Sequence, residues 1–181
     1  MRAVFVGAAF ALGLGLAGAA SAGELGVGVA AHDVDLWKQE CCFESGQNLE
    51  LHGRTDPIKG TPDGMGSWRL WASGSVNSDG GTNYVAAGIM RRFWDNEESK
   101  FYAQLSIGLA VHDGPDEDFQ KTPDRIYFGS PVLFASEAAA GVRLNEDWSA
   151  EAAYMHLSHA GFAGDQNPGL DVVSVRLIKK F

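Results

Sequence analysis

The segment Tyr154-Met155-His156-Leu157-Ser158-His159 holds the side chains of this chain best suited to chemistry. On a β-strand, residues two apart project from the same face. His156 and Ser158 would then stand side by side, their Cβ atoms roughly 6.5–7 Å apart at about 3.3 Å of rise per residue. An imidazole leaning along the strand reaches a serine hydroxyl at that spacing. The chain returns between Gly161 and Gly169 and presents Asp171. In an antiparallel hairpin this carboxylate approaches the ring nitrogen turned away from Ser158. A serine, a base and an acid that orients the base are the parts of a nucleophilic ester hydrolase. His-x-Ser alone is a weak pattern, so the elements that carry it must decide its meaning.

Those elements alternate with period two, as half-buried strands do. Leu25, Val27, Val29 and Ala31 share one face. Leu49 and Leu51 oppose Asn48, Glu50, His52 and Arg54. Trp68, Leu70, Ala72, Gly74 and Val76 oppose Arg69, Trp71, Ser73 and Ser75. Phe101 to Val111, Ala138 to Leu144 and Val173 to Leu177 alternate in the same way. Residues 82–94 and 149–160 are β-like with a less regular pattern, which makes eight strands. Asn77-Ser78-Asp79-Gly80-Gly81 has the chemistry of a hairpin turn. Asp95 to Ser99 and Asn145 to Asp147 are short polar turns, and residues 113–130 read as a long, solvated acidic loop.

An all-β, eight-stranded antiparallel transmembrane β-barrel of the outer-membrane type fits better than a soluble sandwich. The strands are long enough to cross about 25 Å of hydrocarbon at a tilt. Phe93, Trp94, Phe101, Trp148 and Phe181 fall at strand ends, where an interfacial girdle belongs. A closed sheet also leaves no unpaired backbone edge in lipid. Eight strands enclose only enough room for side chains. Arg69, Glu137, Arg143 and Arg176 on the polar face are expected to form a buried network, and a diffusion pore is not expected. His32, His52 and His112 lie on polar faces and are read as interior hydrogen-bonding groups.

Residues 1–22 read as a secretory signal peptide: Met1-Arg2, an uncharged Ala/Val/Phe/Leu/Gly run, and Ala20-Ser21-Ala22 as the cleavage pattern. The barrel domain is then 23–181, exported to the outer membrane of a bacterial cell. A formal net charge of −9 argues against a nucleic-acid partner. Cys41 and Cys42 are adjacent, without the spacing of a zinc site, and are given no chemical role. A metal held by His156, His159 and Asp171 is not expected, because the two histidines have opposite strand parity. Asp171 shares parity with Val173, Val175 and Leu177, so it faces lipid. An ionisable group there marks a functional site.

His156-Leu157-Ser158-His159-Ala160-Gly161, followed by Asn167-Pro168-Gly169-Leu170-Asp171 and a terminal strand, resembles the lipid A 3-O-deacylase (PagL) family. That family carries a His-x-Ser-Asn-Ala-Gly signature on the seventh of eight strands. The resemblance implies a carboxylic-ester hydrolase that removes the 3-O-linked acyl chain of lipid A without a cofactor. It implies Ser158 as nucleophile, His156 as general base and Asp171 as the acid that orients it. Asn167, with His159 where the family has asparagine, would serve the oxyanion. Asp171 stands where the best-known members have glutamate. The expected partners are lipid A of lipopolysaccharide, the surrounding outer-membrane lipids and a second copy of the chain in a homodimer. Two other readings fit the same residues: a non-catalytic structural or adhesive barrel, and an outer-membrane phospholipase on the same triad.

Overall fold

A computed structural model gives the architecture; it describes residues 23–34, 44–60, 66–96, 98–115, 124–162 and 169–181. The expected signal peptide, Cys41-Cys42 and Asn167 lie outside the described residues. The strands are β1 (Gly23–Ala31), β2 (Gln47–Thr55), β3 (Ser67–Asn77), β4 (Tyr84–Phe93), β5 (Phe101–His112), β6 (Val132–Arg143), β7 (Trp148–Ser158) and β8 (Leu170–Lys180). Each pairs antiparallel with the next, and β1 also pairs with β8, which closes the barrel.

The alternation in the sequence becomes two surfaces. Val27, Val29, Leu49, Leu70, Ile89, Leu105, Ile107, Leu109, Val175 and Leu177 are exposed on the outside. Arg54, Arg92, Arg176, Glu50, Glu137 and Glu151 are buried inside. A water-soluble barrel would have the opposite arrangement; an apolar exterior around a polar lumen is that of a barrel in lipid. Among the described residues no helix is long and apolar enough to cross a membrane. The chain crosses with its strands.

The interior has two layers. Near the end that carries the short turns, Arg92 makes two bonds of 2.6 Å to Glu24. Arg54 joins Glu24 at 3.3 Å and Glu151 at 2.5 Å. Arg176 reaches Glu137 at 2.7 Å, Glu50 at 3.0 Å and Glu151 at 3.4 Å. The expected network therefore exists, and Glu24, Glu50, Arg54, Arg92 and Glu151 belong to it as well. Arg69 and Arg143 meet on Asp95 in the β4–β5 turn, at 2.9 and 3.3 Å. Nearer the other end the filling is apolar: Tyr84, Leu133, Met155, Leu157, Leu170 and Val172 are buried together. Charged groups inside are tolerated because each carboxylate meets a guanidinium.

Three expectations change in detail. β4 begins at Tyr84, not residue 82, because Thr82 donates to Glu44 and Asn83 bonds Asp113 instead of continuing the ladder. β7 ends at Ser158, because Ala160 adopts φ 54° and the Phe162 amide turns back to the His159 carbonyl at 3.0 Å. The acidic stretch 113–130 is not wholly solvated. Ile126 and Phe128 are buried in the barrel mouth, and His112 packs on Phe128 at a centroid distance of 4.5 Å.

At the short-turn end the expected aromatics cluster, with Trp94, Phe101 and Phe181 exposed. Lys179 lies 5.2 Å over Trp148 and 5.6 Å over Phe181. Arg91 lies 5.3 Å from Trp68 and 5.4 Å from Phe93. Cations with apolar stems among aromatic rings suit a membrane–water boundary.

Candidate active site

β7 and β8 form the last hairpin, and their register builds the site. His156 is the direct cross-strand partner of Asp171, and Leu157 of Leu170. Directly opposed residues have Cβ atoms about 4.5–5.5 Å apart. At that separation an aspartate is long enough to meet an imidazole, and no further methylene is needed. His156 Nδ1 lies 2.5 Å from Asp171 Oδ1. Tyr154, two residues before His156 and on the same face, donates its hydroxyl to the same oxygen at 2.8 Å.

The face is the outer one. Tyr154 is opposed to Val173 on β8, and Ser158 to Phe134 on β6. Val173 and Phe134 are both exposed members of the apolar exterior. Tyr154, His156 and Ser158 are half-buried on that exterior, alternating with buried Met155 and Leu157 inside. Asp171 is 1% exposed although it lies on the outer face. Its neighbours cover it, which keeps a carboxylate out of hydrocarbon. The Val34 amide also bonds the Asp171 main-chain carbonyl at 2.9 Å, tying the β1–β2 loop to the start of β8.

Two local features complete the surroundings. Gly169 adopts φ +69°, and a Cβ there would lie 2.8 Å from His156 Cε1. Only glycine combines that backbone conformation with that closeness to the ring. Phe162, which follows the turn, is 83% exposed and packs edge-on against Phe134 at 5.9 Å. An aromatic pair thus sits on the outer wall beside Ser158.

His159 is 2% exposed and has the parity opposite to Ser158. Its side chain is withdrawn from the surface on which Ser158 lies. Asn167 is outside the described residues. Among the described residues no group of three or more His, Cys, Asp or Glu is arranged to hold a metal ion.

A second buried carboxylate, Glu44, closes the mouth of the barrel. It accepts from His32 Nε2 at 2.8 Å, the Thr82 amide at 2.5 Å, the Thr82 hydroxyl at 2.9 Å, Arg125 Nε at 2.8 Å and the Ile126 amide at 3.0 Å. Burial would raise its pKa. The bonds from His32, Thr82, Ile126 and Arg125 outweigh burial and hold it down at about 2. His32 and His112 have the interior hydrogen bonds expected of them, His112 to the Ser130 carbonyl at 2.7 Å. His52 differs: it stacks on Trp71 at 5.8 Å, and neither ring nitrogen has a hydrogen-bond partner among the described residues.

Tyr154 and Glu44 are the site-end residues that the sequence reading gives no role. For Tyr154 a signal was present: it completes an i, i+2, i+4 row with His156 and Ser158. Glu44 lies in a loop, where no periodicity marks it.

Comparison with known proteins gives a family and a fold. The family model described as lipid A 3-O-deacylase (PagL) matches residues 43–179. The crystal structure of the outer membrane enzyme PagL aligns with a TM-score of 0.59 at 18% identity, covering 86% of this chain and 97% of that one. A de novo designed transmembrane β-barrel aligns with a TM-score of 0.50 at 10% identity, covering 90% of this chain and 97% of that one. At such identities the structural likeness speaks for the barrel alone. No curated protein matches the chain by sequence.

Proposed function

The chain belongs to the lipid A 3-O-deacylase (PagL) family, and we propose that it performs this hydrolysis with Ser158, His156 and Asp171. It is an outer-membrane β-barrel enzyme that removes the 3-O-linked acyl chain from lipid A. The observation that carries the residue assignment is the His156–Asp171 contact of 2.5 Å on the lipid-facing side of the hairpin. A titratable pair on the outer wall of a membrane barrel has no packing purpose that an apolar pair would not serve better.

The roles follow from which nitrogen is engaged. Asp171 holds Nδ1, so the proton of the neutral ring sits there and Nε2 is the base. Ser158 Oγ attacks the ester carbonyl as His156 Nε2 takes its proton. The tetrahedral intermediate collapses, the bond to the glucosamine 3-oxygen breaks, and the imidazolium returns the proton to that oxygen. Water then attacks the acyl-serine with His156 again as base, releasing the fatty acid and restoring Ser158. Asp171 fixes the ring and stabilises the imidazolium. The oxyanion is assigned to Asn167 and to backbone amides of the turn after Ser158, since the His159 side chain is withdrawn.

The position suits the substrate. Longer connections mark the extracellular end of an outer-membrane barrel, and the triad lies at that end, level with the outer leaflet. Phe134 and Phe162 offer acyl chains an apolar wall beside the nucleophile.

The test is mass spectrometry of lipid A from cells that express the protein. Wild type should remove one ester-linked acyl chain. Ser158→Ala should leave lipid A at full mass, a loss on the order of 10^4-fold or more, while still folding as a barrel. Deacylation that persists in Ser158→Ala would sink the assignment, and fatty acid released from pure phospholipid vesicles at an equal rate would redirect it to a phospholipase.

A further inference from the structure

Tyr154 lies in the row of Ser158 and His156, yet the reaction as written does not use it. Its hydroxyl donates to Asp171 Oδ1 at 2.8 Å, the same oxygen that meets His156 Nδ1 at 2.5 Å. We propose that Tyr154 is a positioning residue of the deacylase: its hydroxyl locks the Asp171 carboxylate in the rotation that presents Oδ1 to His156. The proposal rests on the triad assigned above and deepens it.

The register explains how the contact arises. Tyr154 is opposed to Val173 and His156 to Asp171, so Tyr154 and Asp171 are diagonal neighbours on one face. Diagonal positions are about 7–8 Å apart at Cα, a gap that only a long side chain spans. A tyrosine laid along the outer wall spans it and brings a donor to the far end. Phenylalanine would give the same cover without the donor.

The need for a donor follows from where Asp171 lies. A carboxylate in water finds its partners from solvent and turns freely. Asp171 is 1% exposed and surrounded by the apolar exterior of the barrel, where water is scarce and each bond to the charged group counts for more. Two donors converging on Oδ1 define the plane of the carboxylate. Without the phenol one of these two donors is lost, and the carboxylate turns more easily about its Cβ–Cγ bond, which loosens its hold on the ring. In the proposed reaction Nε2 takes the Ser158 proton, and a ring free to tilt lowers the rate of that transfer.

This role acts through Asp171, which makes it separable from packing. The full-length barrel is purified in detergent micelles, and release of fatty acid from purified lipid A is followed for four proteins: wild type, Tyr154→Phe, Asp171→Asn and the double variant. Tyr154→Phe keeps the ring and removes the hydroxyl. Its kcat should fall about 10–100-fold, the range expected for one hydrogen bond to a charged acceptor, with KM within about twofold of wild type. In the Asp171→Asn background the same substitution should change kcat by less than about threefold, because the group it acts through is already disabled. Full activity in Tyr154→Phe would overturn the proposal, and so would an equal loss in both backgrounds. A raised KM at unchanged kcat would also overturn it, by making Tyr154 a substrate contact. The outcomes separate the two readings. If Asp171→Asn is impaired and Tyr154→Phe is not, only the role of Tyr154 falls. If Asp171→Asn keeps full activity, the triad itself falls.

Discussion

The β7–β8 hairpin pairs a buried carboxylate with a cross-strand donor on each of its faces, and the two are built from different chemistry. On the inner face Glu151 opposes Arg176, and Arg54 joins Glu151 from β2. On the outer face His156 opposes Asp171, and Tyr154 joins Asp171 from the same strand. Both centre on a carboxylate bonded by its cross-strand partner; Glu151 also accepts from Tyr102 and Gln104, each at 3.1 Å. The inner carboxylate is balanced by guanidinium groups, which do not release a proton in proteins. The outer carboxylate faces an imidazole in place of a guanidinium. The inner pair is a fixed charge balance inside a lumen that must be filled. The outer pair can pass a proton, and it sits where packing alone would place leucine or valine. With the proposed triad, the difference puts stability on one face of the hairpin and chemistry on the other, although the backbone that supports them is shared.

The comparison breaks most visibly at Asp171. Replacement by asparagine keeps the volume and removes the charge that steadies the imidazolium. Deacylation should fall on the order of 10^3–10^4-fold, with the midpoint of urea unfolding in lipid vesicles nearly unchanged. A large loss of stability with little loss of rate would reverse the assignment of the two faces.

The inner face gives the opposite pattern. Arg176→Met keeps most of the volume but leaves Glu50, Glu137 and Glu151 without a common partner. Breaking a buried ion pair from one side costs about 3–5 kcal/mol, so unfolding should shift by that order. The rate per folded molecule should stay within a few-fold of wild type. A collapse of kcat in protein that remains folded would show that the interior network reaches the outer face.

Much of this contrast was legible in the sequence, because parity on a strand is a one-dimensional property. Leu105, Ile107 and Leu109 announce the outer surface by alternation alone, and so do Val173 and Val175. The placement of Asp171 on the lipid side follows from the same count, and so does the common face of His156 and Ser158. What parity does not give is register. That His156 faces Asp171 directly, and that Tyr154 reaches the same carboxylate diagonally, depends on the length and shape of the β7–β8 turn, and no single strand encodes it. Glu151 and Arg92 were hidden for a related reason: their strands alternate less cleanly, with alanine on both faces. Loops hide the most. Ile126 and Phe128 lie among acidic residues that suggest solvation, yet they fill the barrel mouth. Glu44 carries no pattern at all until His32, Thr82, Arg125 and Ile126 gather around it.

Glu44 also extends the comparison to a third buried carboxylate, one whose partners are mixed: a histidine, an arginine, a hydroxyl and two backbone amides. Its effect should be the smallest of the three, and it is visible through pH. The folded pKa of about 2 lies below the ordinary value of 4.5. As the pH falls, the unfolded chain therefore takes up its proton first, and the folded form loses its advantage. The stabilisation by the ionised group is complete above about pH 4.5 and fades as the pH drops through about 2. Comparing wild type with Glu44→Gln removes every other titration common to both proteins. The difference in unfolding free energy should be about 1–3 kcal/mol at neutral pH, constant down to about pH 5, and should close towards pH 2. A difference that grew on acidification would mean that Glu44 is held protonated in the folded barrel. The clasp over the mouth would then be a neutral hydrogen-bond network, unlike the charged one on the inner face of the hairpin.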